Sequence, residues 1–158
     1  MRFLLLFLPL ISAVAWAEPE VRETRHNDWT EVCISDQGAT RCEAIQVLSV
    51  NQGNQSQPIL RVTVSQVNDQ PFIEFALPLG MDLRSGMVVQ IDQGEELRFG
   101  YSTCVPQGCA GVLQLTPELM TALKAGSQAR LGFRPFGSEQ VQVLEISLSG
   151  FTAASQGI

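Results

Sequence analysis

The chain has 158 residues, with 16 Asp+Glu against 10 Lys+Arg for a formal net charge of −6, and 45% of it is hydrophobic. That length fits one ordinary domain around one core. The acidic balance argues against nucleic acid as a partner, because phosphate backbones would be repelled.

Arg2 precedes an unbroken apolar run over residues 3–11 and a small-residue stretch over 12–17, which is the layout of a secretory signal peptide. The run is well short of the roughly 20 residues that span a bilayer, so it reads as a removable leader and not an anchor. Of two small-x-small triplets, Ala13-Val14-Ala15 and Ala15-Trp16-Ala17, the second is the expected cleavage signal and leaves Glu18 as the new N-terminus. The expected division is a signal peptide over 1–17 and a single domain over 18–158. Losing Arg2 and no acidic residue takes the net charge from −6 to −7. Nothing after Ala17 has the composition of a membrane span, and the chain lacks the terminal aromatic of an outer-membrane barrel strand. The mature protein is therefore expected to be soluble or peripheral.

Residues 22–28 are polar and are expected to form a solvated loop around His26, the one histidine. Trp29 then opens the first strand as a core aromatic. Cys33 and Cys42 flank the turn signal Ser35-Asp36-Gln37-Gly38. Cys104 and Cys109 flank Val105-Pro106-Gln107-Gly108, with Pro at the second turn position and Gly at the fourth. Four cysteines in an exported chain imply two disulfides, for which three connectivities exist. The turn chemistry favours Cys33 with Cys42 and Cys104 with Cys109, each clipping a hairpin.

Residues 51–57 read as a polar connecting loop. Period-two alternation follows in Leu60, Val62 and Val64, in Ile73, Phe75, Leu77 and Leu79, and in Met87, Val89 and Ile91. After Asp92-Gln93-Gly94 it resumes as Leu97, Phe99 and Tyr101, so antiparallel strands joined as hairpins are expected. Thr116 as N-cap, Pro117, Glu118, Lys124 and the closing Gly126 mark one short helix, whose apolar stripe Leu119, Met120 and Leu123 would cover a sheet end or edge. Further on, the pattern slips from Val141 and Val143 to Leu144, Ile146 and Leu148, which predicts a β-bulge. Residues 153–158 read as a frayed tail.

No catalytic constellation emerges. There is no Gly-x-Ser-x-Gly turn, no phosphate-cradling glycine loop and no His-Glu-x-x-His. A redox dithiol needs two residues between its cysteines near a helix start, whereas Cys104 and Cys109 have four. A four-cysteine zinc site needs two close-set knuckles, and the first pair here has eight residues between its cysteines. No metal, cofactor or catalytic residue is therefore expected.

Taken together, Asp28-Trp29-x3-Cys33, then Cys42, Gln46-Val47-Leu48, Pro58-Ile59-Leu60-Arg61-Val62, Leu77-Pro78-Leu79-Gly80, Thr103-Cys104-x-Pro106-x-Gly108-Cys109 and Gly150-Phe151-Thr152-Ala153-Ala154 resemble the invasion-associated locus B family. The resemblance runs from about Asp28 to Ala154 and is most specific at Trp29-x3-Cys33 and at residues 104–109. It implies an all-β fold, an immunoglobulin-like antiparallel β-sandwich with one short helix. It also implies export to the periplasm or outer membrane and, in pathogenic members, a link to host-cell invasion and virulence. It supplies no catalytic residues.

The functional expectation is a non-enzymatic interaction or adhesion module of the envelope, with a protein partner there or on a host cell. Val105, Pro106, Gln107 and Gly108 form its candidate binding loop, since recognition on a stiff sandwich sits on its loops. Two alternatives stand beside it. One is a periplasmic accessory factor for envelope integrity, the other a thiol-disulfide enzyme using Cys104 and Cys109.

Overall fold

The computed structural model describes residues 18–53 and 55–158; the signal peptide read over 1–17 lies outside them. The elements in chain order are β1 (Glu20–His26), β2 (Trp29–Asp36), β3 (Ala39–Gln52), β4 (Gln55–Val67), β5 (Gln70–Leu77), β6 (Met87–Ile91), β7 (Glu96–Phe99), β8 (Thr103–Val105), β9 (Gly108–Gln114), α1 (Pro117–Ala125), β10 (Gln128–Phe133), β11 (Gln142–Ser147) and α2 (Phe151–Ala154). They form a seven-stranded sheet in the order β1-β2-β3-β4-β5-β9-β8 and a four-stranded sheet in the order β11-β10-β6-β7. Every strand pair is antiparallel. The two sheets pack as an open sandwich, the all-β architecture expected.

Turn chemistry explains the connections. Gln37 and Gly38 between β2 and β3, and Asn68 and Asp69 between β4 and β5, all have positive φ. Two-residue hairpin turns require this so that their twist matches that of the strands. Alternation then decides what is buried. The large sheet contributes Trp29, Ala44, Leu60, Val62, Val64, Ile73, Phe75 and Leu77 to the core, and the small sheet contributes Met87, Val89, Ala129, Leu131 and Ile146. α1 is capped as the sequence predicts. The Thr116 side chain accepts from Leu119 N, Leu123 is buried, and Leu119 and Met120 pack against the core.

Five expectations are corrected. Residues 22–26 are not a loop, because β1 is an edge strand paired with β2 along its whole length, and only Asn27 and Asp28 form the turn between them. Its exposed polar side chains blunt the edge against further pairing, and such a strand shows no apolar alternation to read. The polar residues 51–53 and 55–57 likewise belong to a long hairpin, in which Ser49 pairs with Pro58 and Gln52 with Gln55. β11 carries no bulge. Its register with β10 is continuous from Gln128 opposite Ser147 to Phe133 opposite Gln142. Val141 and Val143 simply face outward, in phase with an inward Leu144 and Ile146. The register shift falls instead between Leu48 and Ser49, where Ile59 is the extra residue on β4. Leu79, expected on the inner face, lies beyond the end of β5 and is exposed.

The last correction concerns the C-terminus, where a second short helix replaces the frayed tail. In α2, Phe151 and Ala154 are fully buried, as is Ser155, and Ile158 packs against the core. α2 lies against α1 and the β1–β3 end of the large sheet. Phe151 meets Trp29 edge to face at 4.9 Å. Gly150, at φ 90°, sits so close to the β1–β2 turn that a Cβ there would overlap the His26 carbonyl.

Candidate functional site

Both disulfides join residues directly opposite each other on neighbouring strands. Cys33 of β2 bridges to Cys42 of β3 and Cys104 of β8 to Cys109 of β9. All four cysteines are thereby used. Their surroundings differ. Cys33 is buried, and the C-terminal segment comes down beside its partner, with a Cβ on Gly157 placed 3.2 Å from Cys42 Sγ. Glu31 lies close to the same two sulfurs. Since both sulfurs are tied up in the bridge, Glu31 is the one free ligand of that cluster.

The second bridge clips the candidate loop. Pro106 and Gln107 make the two-residue turn between Val105 and Gly108, which pair with each other. Cys104, Val105, Pro106 and Gln107 are exposed, whereas Gly108 and Cys109 are buried. Gly108 has φ 154°, and a Cβ there would overlap the Leu77 carbonyl oxygen on the neighbouring β5. Only glycine therefore lets the turn lie down on the end of β5. The result is a rigid, exposed corner held by a disulfide on one side and a backbone contact on the other.

Gln107 is also the side chain through which this corner borders an open groove of about 410 Å³ on the outer face of the large sheet. The groove is lined by Val47, Pro58, Ile59, Arg61, Ala76 and Pro78 as well. The extra residue Ile59 belongs to the bulge, and Pro58 beside it has no N–H to offer. Val47 is half exposed. The groove is thus apolar, with one cation, Arg61, and one amide, Gln107. Nothing in the chain's local pattern pointed to it, because its walls come from β3, β4, the β5 end and the clipped turn.

Sequence reasoning also missed three polar ties. The Trp29 indole donates to the Ser147 carbonyl at 2.8 Å, and the Gln46 side-chain amide donates to the same oxygen at 2.9 Å, fastening the large sheet to the edge of the small one. Ser147 Oγ in turn donates to Asp28 at 2.6 Å. His26 is half-buried at the end of β1, with Nε2 3.9 Å from Glu31, and is not the solvated loop residue expected. At the other end of the molecule Asp82 is buried. It accepts from Arg134 Nη2 at 2.6 Å and stands 3.5 Å from Arg84 Nε. The Arg134 hydrogen bond holds the Asp82 carboxyl below the usual carboxylate range. Burial, with a smaller contribution from the Asp82 charge, pushes the Tyr101 phenol up. These groups do not converge on a shared reacting position. No helix among the described residues is long and apolar enough to cross a membrane.

The family described as "Invasion associated locus B (IalB) protein" matches residues 29–158. Two invasion protein B homologs of Brucella abortus, from strain 2308 and from biovar 1 strain 9-941, are each 30% identical over 132 residues, covering 82% of this chain and 74% of the relative. The crystal structure of invasion associated protein b from Bartonella henselae superposes with a TM-score of 0.70 at 22% identity, over 84% of this chain and 91% of that one, so the two share a fold.

Proposed function

The chain belongs to the invasion associated locus B family, and we propose that it is an exported, non-enzymatic interaction module of the bacterial envelope that recognises a protein partner through the clipped turn at residues 105–108. The observation that carries this reading is the position of Gln107, exposed on a turn that cannot move freely and bordering an apolar groove. A turn held this way gives up little conformational freedom on binding, so more of its contact energy appears as affinity. Export is supported by the two disulfides, which persist in oxidising compartments, and by the signal-peptide layout of residues 1–17. The names of the relatives refer to invasion. For this chain the corresponding role is contact with an envelope or host-cell protein.

The test is photo-crosslinking in the native cell from a reactive residue placed at position 107, with position 118 on the exposed start of α1 as control. A discrete protein adduct at 107 and none at 118 is the expected result, lost in cells where Val47 is replaced by Glu. Equal or absent labelling at the two positions would rule out recognition at this turn.

A further inference from the structure

The outer face of the four-stranded sheet carries a second groove, on the opposite side of the sandwich from Gln107. Register arranges its side chains in rows across β7, β6, β10 and β11. One row reads Arg98, Val88, Gly132, Val143, and the next reads Glu96, Gln90, Arg130, Glu145. Two openings of about 320 and 350 Å³ share Val88, Arg98, Gly132 and Val141, so they form one continuous depression. A third, of about 330 Å³, brings in Arg84 and adjoins them through Ser85, Gly86, Val88 and Arg98.

Charge is distributed unevenly here. Residues 18–158 hold nine Lys+Arg and 16 Asp+Glu. The lining of this depression nevertheless contains four arginines, Arg84, Arg98, Arg130 and Arg134, and one acid, Glu96. Neighbouring anions offset part of that charge. Glu96 bonds Arg98 at 3.0 Å, Asp82 lies behind Arg134 and Arg84, and Glu145 stands opposite Arg130. Arg84 and Arg98 remain 88% and 76% exposed. Each guanidinium offers five N–H donors, most of them still free. Along the row from Arg98 to Val143 the floor is apolar, bordered by Gln90 and Arg130 of the next row. Gly132 has no side chain, and Val141 and Val143 expose more than half of their surface. From Arg98 to Val143 is three strand spacings, about 14 Å.

A cationic end joined to an apolar floor in an open trough complements a molecule with a phosphate at one end and hydrocarbon at the other. We infer that this face is a docking site for anionic phospholipid at a membrane surface, the phosphate held by Arg84 and Arg98 and the upper acyl chain laid over Gly132 towards Val143. The site lies on the other sheet from the clipped turn and does not rest on the reading of that turn. It would let a chain of net negative charge approach an anionic membrane by this one face, each basic residue near the surface adding a modest attraction.

The experiment is co-sedimentation of the 18–158 protein with vesicles of phosphatidylcholine alone and of phosphatidylcholine mixed with phosphatidylglycerol. Titration with inorganic phosphate and with polyglutamate runs in parallel. Partitioning to the phosphatidylglycerol vesicles alone, weakening with added salt, is expected. Arg98→Ala should lower it about fivefold, the equivalent of about 1 kcal/mol per basic residue at the surface. Gly132→Val keeps every charge. Its Cβ meets Val141 Cγ1 at 3.5 Å and the Val88 carbonyl at 3.8 Å, both ordinary contacts. It narrows the trough and should lower partitioning as well, with the melting temperature measured alongside to show that the variant is folded. Partitioning that ignores lipid charge, or that survives both substitutions, overturns the assignment. So does capture of phosphate or polyglutamate with no vesicle binding, which would mean that the arginines read charge without the apolar floor.

Discussion

Phe151→Ala tests whether the C-terminal segment belongs to the core. Phe151 is fully buried, meets Trp29 at 4.9 Å with the rings at 64°, and starts the short helix that closes the β1–β3 end of the sandwich. Truncating a buried Phe to Ala costs about 3–5 kcal/mol in lost transfer free energy and residual cavity, a range that includes the edge-to-face contact, itself about 0.5–1.5 kcal/mol. The segment ends at Ile158, which also packs on the core, so the site has little room to collapse, and the upper half of the range is expected. For a domain of this size each kcal/mol moves the melting temperature by about 2–4 °C, giving a drop of about 8–20 °C. Trp29 is the one tryptophan of residues 18–158, so its fluorescence, followed through urea and thermal unfolding, reports on this contact directly. Leu79→Ala, at an exposed position, serves as control and should stay within about 0.5 kcal/mol. A loss below about 1 kcal/mol for Phe151→Ala would falsify the packing of the C-terminal helix on Trp29.

Gly108→Ala should destabilise by about 2 kcal/mol or more, since the new methyl overlaps the Leu77 carbonyl and the residue must hold a positive φ; urea midpoints equal to wild type would mean that the turn stands clear of β5. Removing the Cys104–Cys109 bridge as a double serine variant should cost about 2 kcal/mol, because a loop this short constrains the unfolded chain only moderately, and calorimetry showing no loss would remove the staple from the account of the clipped turn. Asp82 has its folded pKa lowered chiefly by Arg134. Its contribution is therefore complete above the unfolded value of about 3.9 and fades as pH falls through the folded value. Asp82→Asn should accordingly be less stable than wild type at neutral pH, with the gap closing below about pH 3.9; a gap that stays constant down the acid limb would mean that the carboxylate is not held by its arginine.

What the sequence alone determined is whatever depends on neighbours along the chain. Pro106 and Gly108 set one turn, Gln37 and Gly38 another, and the cysteines flanking each turn were brought opposite one another by the hairpin itself. Thr116 and Pro117 began α1, and strict alternation marked β4, β5 and β6. Family membership followed from the same short blocks, since Trp29-x3-Cys33 and residues 104–109 are local patterns.

The tertiary structure alone decided the elements whose stability comes from contacts distant in sequence. β1 is polar on both faces and exists because β2 offers it a ladder. Residues 150–158 are mixed in character, and they pack as they do because Trp29 lies beside Phe151 and the His26 carbonyl beside Gly150. The Ser147 carbonyl is claimed by Trp29 and Gln46 from more than a hundred residues away. The same holds for both grooves. Gln107 shares a groove with Val47 and Ile59, and Arg98 shares its openings with Arg84, Arg130 and Arg134, only once sheet order and register have placed their strands side by side. Hydrogen-bond ladders and burial act between surfaces and take no account of separation along the chain, so no window of sequence records which surfaces will meet.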